Sequence, residues 1–197
     1  MRRLLACFLT AAVLGAPSTA FAWWNDEWNF RKEVSLDLTP QGAEIAGSPT
    51  DVPVLVRLSL ANFEFFGDAK PDGSDLRVVL GDDKTPLKFH VESWDAATQI
   101  ALIWVRMPRL AGGAATDRFY LYYGNPDAPA ASEPGGSYDV NQALVYHFSG
   151  SAPTDATSYA SNPSASTAAM NPASLIGGGA RFDGTQSITV PSNAALR

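Results

Sequence analysis

The chain has 197 residues, 46% of them hydrophobic and 17% charged, with a formal net charge of -6. That much apolar material supports a packed core and excludes a disordered acidic tail. The acidic balance excludes the basic surface that nucleic-acid binding needs, so no nucleic-acid partner is expected. Sixteen glycines and 14 prolines fall below the roughly 25–30% that marks low-complexity chains.

Residues 1–22 read as a secretory signal peptide. Met1-Arg2-Arg3 supplies the positive start, Leu4 to Gly15 the apolar stretch, and Ala20-Phe21-Ala22 the small-x-small cleavage site. The apolar stretch is shorter than the roughly 20 residues a membrane span requires. Cleavage after Ala22 removes two arginines and the only cysteine, Cys7, leaving 12 basic and 20 acidic residues. The expected product is exported, periplasmic or at the cell surface, and is held together without disulfides.

The predicted elements follow in order. Val34, Leu36 and Leu38 alternate with polar residues, as on a strand with one wet face. Val52 to Leu60 keep the same rhythm, and a short helical turn is expected around Asn62 to Phe66. Leu76, Val78 and Leu80 make a third strand, and Phe89 and Val91, alternating with Lys88, His90 and Glu92, a fourth. From Gln99 to Val105 alternation gives way to Ile-Ala-Leu-Ile-Trp-Val, as expected of a central strand covered on both faces. Phe119, Leu121 and Tyr123 mark a sixth. Turn chemistry lies between them at Pro71-Asp72-Gly73, Gly81-Asp82-Asp83 and Gly124-Asn125-Pro126. Short strands at this spacing predict an all-β, jelly-roll-like sandwich over 23–125.

Residues 126–142 turn to Pro, Ala, Ser and Gly and read as a linker. A strand is expected at Leu144 to Phe148. A nearly uncharged stretch follows from Gly150 to Gly179, then a last strand at Ile188 to Val190.

The candidate binding residues are aromatic. Tyr120 and Tyr122 share one strand face, and Trp94 shares parity with His90 and Glu92 on another. Flat exposed rings stack on sugar faces, which makes Trp94, Tyr120 and Tyr122 the candidate ligand contacts. Core or edge cover is the plainer reading of the same rings. Trp23, Trp24 and Trp28 are expected to pin the first strand. Asp72 and Asp75, with Asp68, Asp82 and Asp83 nearby, are the calcium candidates. Their spacing departs from the twelve-residue loop pattern, so turn roles are preferred and no metal is assigned. His90 and His147 stand far apart in sequence with no partner at metal-ligand spacing and are read as structural or surface residues. Glu92 with Asp95 is the nearest carboxylate pair for hydrolysis, and nothing beyond residue identity supports it. No catalytic or cofactor motif is present, so no enzyme and no cofactor are expected.

Several motifs carry a resemblance: Trp23-Trp24-Asn25-Asp26-Glu27-Trp28-Asn29-Phe30-Arg31, Asp51-Val52-Pro53-Val54, Asp72-Gly73-Ser74-Asp75-Leu76-Arg77, Thr85-Pro86-Leu87, Ile103-Trp104-Val105 and Tyr122-Tyr123-Gly124-Asn125. In this order they resemble a bacterial exported domain family of unknown function. That resemblance implies a β-sandwich often joined to concanavalin A-like or laminin-G-like domains, and in some proteins to a MotA/TolQ/ExbB-type proton channel. Residues 143–197, with Gly177-Gly178-Gly179-Ala180-Arg181-Phe182-Asp183-Gly184, resemble the opening strands of a concanavalin A or laminin-G-like domain. Such a sandwich needs roughly 100 residues, so an incomplete second sandwich, from a fragment of a longer protein or a truncated gene product, is expected. The alternative is that these strands add to the first sandwich. The implied function is a non-enzymatic binding or sensor module, with a glycan, the cell wall or an envelope protein as partner and an inner-membrane channel encoded downstream. The alternative is a carbohydrate-binding module, adhesin or accessory domain of a glycan-degrading enzyme.

Overall fold

A computed structural model describes residues 23–197; the signal-peptide reading lies outside the described residues. The chain is all-β. β1 (Phe30–Leu36), β6 (Asp117–Tyr123) and β3 (Arg77–Leu80) form one antiparallel sheet in the order β1-β6-β3. β2 (Thr50–Ser59), β5 (Ile100–Arg109) and β4 (Phe89–Asp95) form the other in the order β2-β5-β4. All six expected strands are present, and β5 is central, as its unbroken apolar run requires. At the start of the stretch where a short helical turn was expected, the Asn62 and Phe63 N–H groups donate to Ser59 O at 3.0 and 2.7 Å, and no longer helix follows.

The sheets face each other across one apolar interior. Val78, Phe119, Leu121 and Tyr123 enter it from the first sheet, and Val56, Leu58, Phe89, Ala101, Ile103, Val105 and Met107 from the second. Phe63 and Phe66, from the turns after β2, close one end, with ring centroids 5.1 Å apart. Period-two polarity produced this arrangement directly, because each strand sends alternate side chains to opposite faces.

One break in that period decides where the site lies. In the β4–β5 pairing His90 faces Trp104 and Val91 faces Ile103, but Ser93 faces Leu102 and Trp94 faces Ala101. Glu92 is therefore an extra residue in a β-bulge, and the bulge reverses the parity of everything after it. His90 and Glu92 stay on the outer face. Trp94 turns inward, its ring 4.9 Å from Phe66, instead of sharing a face with them.

The outer faces are also covered. Trp28, Val79, Tyr122 and Ala128 form a second buried cluster on the outside of the first sheet, with Trp24 and Tyr120 against it. The outside of the second sheet carries the segment that composition marks as a linker: Ser137 and Tyr138 are buried. A short 3-10 turn at Pro134–Gly136 leads into it. Glycine, serine and alanine here permit close approach to the sheet rather than free movement.

Beyond it, Tyr146 bridges Asp155 where a strand was expected. The nearly uncharged stretch carries β7 (Ala165–Ser166) and β8 (Ala169–Asn171). These pair with β10 (Ile188–Thr189) and β9 (Gly179–Arg181), respectively, as two-stranded ribbons. Leu175, Ile176 and Phe182 are exposed in this region. Gly177 lies against the second sheet, where an added Cβ would sit 2.6 Å from Leu102 Cδ1 and 3.0 Å from Glu92 Oε1. A larger residue there would require the Leu102 and Glu92 side chains to shift.

Candidate functional site

Five polar and aromatic side chains meet on the outer face of the second sheet. β4 supplies His90 and Glu92, β5 supplies Trp104, and the overlying segment supplies Tyr138 and His147. Cross-strand pairing places His90 beside Trp104, and the bulge lets Glu92 reach the same indole. Trp104 Nε1 donates to Glu92 Oε2 at 2.7 Å. The same oxygen lies 3.2 Å from His147 Nδ1. On the far side of that ring, His147 Nε2 lies 3.1 Å from His90 Nε2 and 3.0 Å from the Tyr138 hydroxyl. The His147 ring rests over the Trp104 indole at 5.2 Å between centroids.

The protons follow from this geometry. A carboxylate at Nδ1 holds a neutral His147 with its proton there, which leaves Nε2 as an acceptor with one lone pair. His90 Nε2–H and the Tyr138 hydroxyl both point at it. His90 Nδ1 is left buried with no hydrogen-bond partner. Burial, then the neighbouring His147, pushes His90 from 6.5 down to about 4. Burial also lowers His147, with the Glu92 carboxylate opposing. Burial and the nearby Glu92 charge push the Tyr138 phenol well above its usual range.

A cleft of about 230 Å³ opens beside the cluster, with His90, Glu92, His147, Phe148, Thr154 and Asp155 in its lining. Asp155 is built into the wall: it accepts the backbone N–H groups of Val145, Thr157 and Ser161 and the Thr157 hydroxyl. Burial opposes its ionisation, but those donors outweigh burial and hold its carboxyl below the usual range. Glu92 spends Oε2 on the indole and the imidazole. Oε1 accepts no hydrogen bond among the described residues.

The aromatic ligand candidates and the calcium candidates lie elsewhere. Tyr122 has no exposed surface; its hydroxyl donates to Asp83 at 2.5 Å and accepts from the Trp24 N–H at 3.1 Å. Tyr120 shares that face as expected, half-buried, with the Arg31 guanidinium 4.6 Å above its ring. Trp23, Trp24 and Arg31 therefore cover the Tyr120–Tyr122 face, and Trp94 is in the interior of the other sheet. The three rings do not form one platform, because a bulge turned one inward and the amino-terminal tryptophans covered the others.

Asp75 is fully buried, and its carboxylate accepts the N–H groups of Lys70, Gly124 and Asn125 at 2.9, 2.6 and 3.3 Å. Asp72 accepts the Ser74 N–H in an exposed turn. The two are occupied separately by the backbone. Asp95 holds a turn by accepting from Ala97 and Thr98, while Glu92 joins the histidines, so these two carboxylates do not face each other. Among the described residues no three His, Cys, Asp or Glu side chains are grouped to hold a metal ion, and no helix is long and apolar enough to cross a membrane.

The histidine pair is what sequence reasoning missed. The sequence separation of 57 from His90 to His147 hides the contact. The available hint was that His90 and Glu92 sit on the wet parity of β4, opposite the tryptophan of an otherwise apolar central strand.

No curated protein and no solved structure matches the chain. Residues 72–158 match the family model of a domain of unknown function, DUF2341. The matched span contains all five residues of the cluster and the lining of the cleft, so over this stretch the chain is similar to that family, and the similarity runs through the segment lying on the second sheet.

Proposed function

We propose that the protein is a non-enzymatic, exported binding module whose ligand seat is the cleft beside His90, Glu92 and His147. The carrying observation is the wall itself. Its polar groups are held by hydrogen bonds within the protein, which fixes their positions before a ligand arrives and lowers the ordering cost of binding. At about 230 Å³ the cleft is below the roughly 300–1,000 Å³ of drug-sized sites, and it suits one sugar ring of a cell-wall or other glycan. Phe148 offers an apolar face, and Thr154 and Glu92 Oε1 offer hydroxyl partners.

The Tyr138–His147–Glu92 chain has the hydroxyl–imidazole–carboxylate order of a hydrolytic triad. Its hydroxyl belongs to a buried phenol outside the cleft lining, with its ionisation pushed out of reach, so the chain supports a structural role better than a reacting one. Coupling of the module to an ExbB/TolQ-type channel belongs to the same proposal and rests on the family resemblance alone.

The test is titration with soluble glycans followed by amide chemical shifts, with Ala152→Trp, which fills the cleft, as control. Shifts at Phe148 to Ala156 in the unsubstituted protein, absent from the variant, support the reading. Binding that persists in the filled variant, or no binding by any envelope glycan, overturns it.

A further inference from the structure

The His90–His147 contact spans two parts of the fold. His90 is on β4 of the second sheet, and His147 is on the segment laid over that sheet. The start of the overlying stretch is tied to the sheet by Ser132 Oγ, which accepts from the Val91 N–H at 2.8 Å, by the Glu133 N–H, which donates to Phe89 O at 2.9 Å, and by Gly136 O, which accepts from Arg106 at 3.4 Å; from Tyr138 onward, the polar ties near the cluster among the described residues are His147 and Tyr138, which bonds His147 itself. The Nε2–Nε2 bond needs one ring to donate and the other to accept. One added proton is tolerated, because His147 can then donate to both Glu92 and His90 once the His90 proton moves from Nε2 to Nδ1. A second proton is not: two N–H groups would face each other at 3.1 Å, with no acceptor between them.

The surrounding charges do not rescue the doubly protonated pair. Glu92, on β4, is the carboxylate that touches it. Arg106, on β5, is held by Asp51 at 2.8 Å. Lys88, beside β4, is paired with Glu133 at the start of the overlying segment. Asp155 is bound to its own backbone donors. Tyr138 is a neutral phenol. Two imidazolium charges would thus face one carboxylate in a largely buried cluster, where an uncompensated charge is costly.

We propose that the His90–His147 contact is an acid-released clasp: closed, it seats the segment from Tyr138 to Thr157 on the second sheet and completes the cleft, and double protonation releases the segment and dissolves the cleft. This rests on the cleft being the ligand seat only for its consequence, release of ligand in acid; the opening itself involves no ligand. The depressed basicity of both rings agrees with a closed state that resists protonation until the pH falls well below 6.5.

The test is a series of amide and histidine-ring spectra of the ligand-free protein from pH 7.5 to 4, with His147→Gln and His90→Gln alongside. The expected result is that both rings titrate below the usual histidine range, that the Trp104 indole N–H and the amides of Tyr138 to Thr157 shift together with the second titration, and that the amides of β1, β6 and β3 do not. The Gln variants keep the segment docked over the whole range, since an amide can take the partner's role without acquiring charge. A segment that stays docked at pH 4, a ring that titrates near 6.5, or a variant that opens at the same pH as the unsubstituted protein overturns the clasp. If a variant is already undocked at pH 7.5, the ring titrations of the unsubstituted protein decide. Failure of glycan titration at pH 7.5 counts against the ligand seat alone, because no ligand enters the clasp measurement.

Discussion

Trp104 Nε1 lies 2.7 Å from Glu92 Oε2, joining the central strand to the one residue of β4 that the β5 pairing leaves over. Without the bulge the Glu92 side chain would stand over Leu102, one step further along the strand. With it, the carboxylate reaches both the indole and His147. Glu92→Ala leaves two buried donors without an acceptor. Each such loss costs about 1–3 kcal/mol, so urea unfolding should show a loss of about 3 kcal/mol. His147 should also titrate lower still, because the charge that opposes its depression is gone; ring NMR checks this.

Asp75 ties the start of β3 to the turn after β6. Asp75→Ala strands the N–H groups of Lys70, Gly124 and Asn125 in the interior, with an expected cost of about 3 kcal/mol or more. Asp75→Asn keeps one acceptor oxygen and should lose less. The two urea midpoints, compared with the unsubstituted protein, give the order.

The Tyr122 hydroxyl joins Asp83, Arg31 and the Trp24 backbone. Tyr122→Phe is expected to cost about 1–2 kcal/mol and to raise hydrogen exchange at Trp24 while leaving the cleft residues unchanged. The exchange pattern separates this from a general loosening.

Stability depends on pH through the histidines. His90 binds its proton at about 4 in the folded chain against 6.5 when unfolded. Between these values the unfolded chain holds more protons, so stability rises with pH. It is full above 6.5, falls as the pH drops towards 4, and loses up to about 1.4 kcal/mol per pH unit for this one proton. His147 acts in the same direction. His90→Gln should flatten the slope of unfolding free energy against pH over that window.

Gly73, at φ 65, leaves room for the Trp94 ring, whose Cδ2 would lie 2.6 Å from an added Cβ. Gly73→Ala combines a left-handed backbone with that overlap, and an expected loss of about 2 kcal/mol is measurable by thermal unfolding.

The sandwich was legible because five of its strands show a two-residue period with the apolar parity facing the interior, and β5 shows the unbroken apolar run of a central strand. Where the period breaks, sequence reading misplaced the side chains. One unpaired residue at Glu92 sent Trp94 into the core, and no feature of the sequence marks a bulge there. Tyr120 and Tyr122 were assigned a common face, which is where they are, but what covers that face comes from Trp23 and Trp24, about a hundred positions earlier. The cluster depends on a contact of long sequence separation, and Pro-Gly-Gly composition conceals that Ser137 and Tyr138, which follow it, are buried. A compositional linker and a close-packed strap use the same small residues.

The central claim is that the segment carrying His147 lies on the outer face of the second sheet. Nuclear Overhauser contacts at pH 7.5 between the His147 ring and the rings of Trp104 and His90, whose centroids lie 5.2 and 5.1 Å away, test it directly. Strong cross-peaks to both rings are the expected result, and a His147 ring showing contacts to neither, with chemical shifts of a solvent-exposed histidine, would contradict the account.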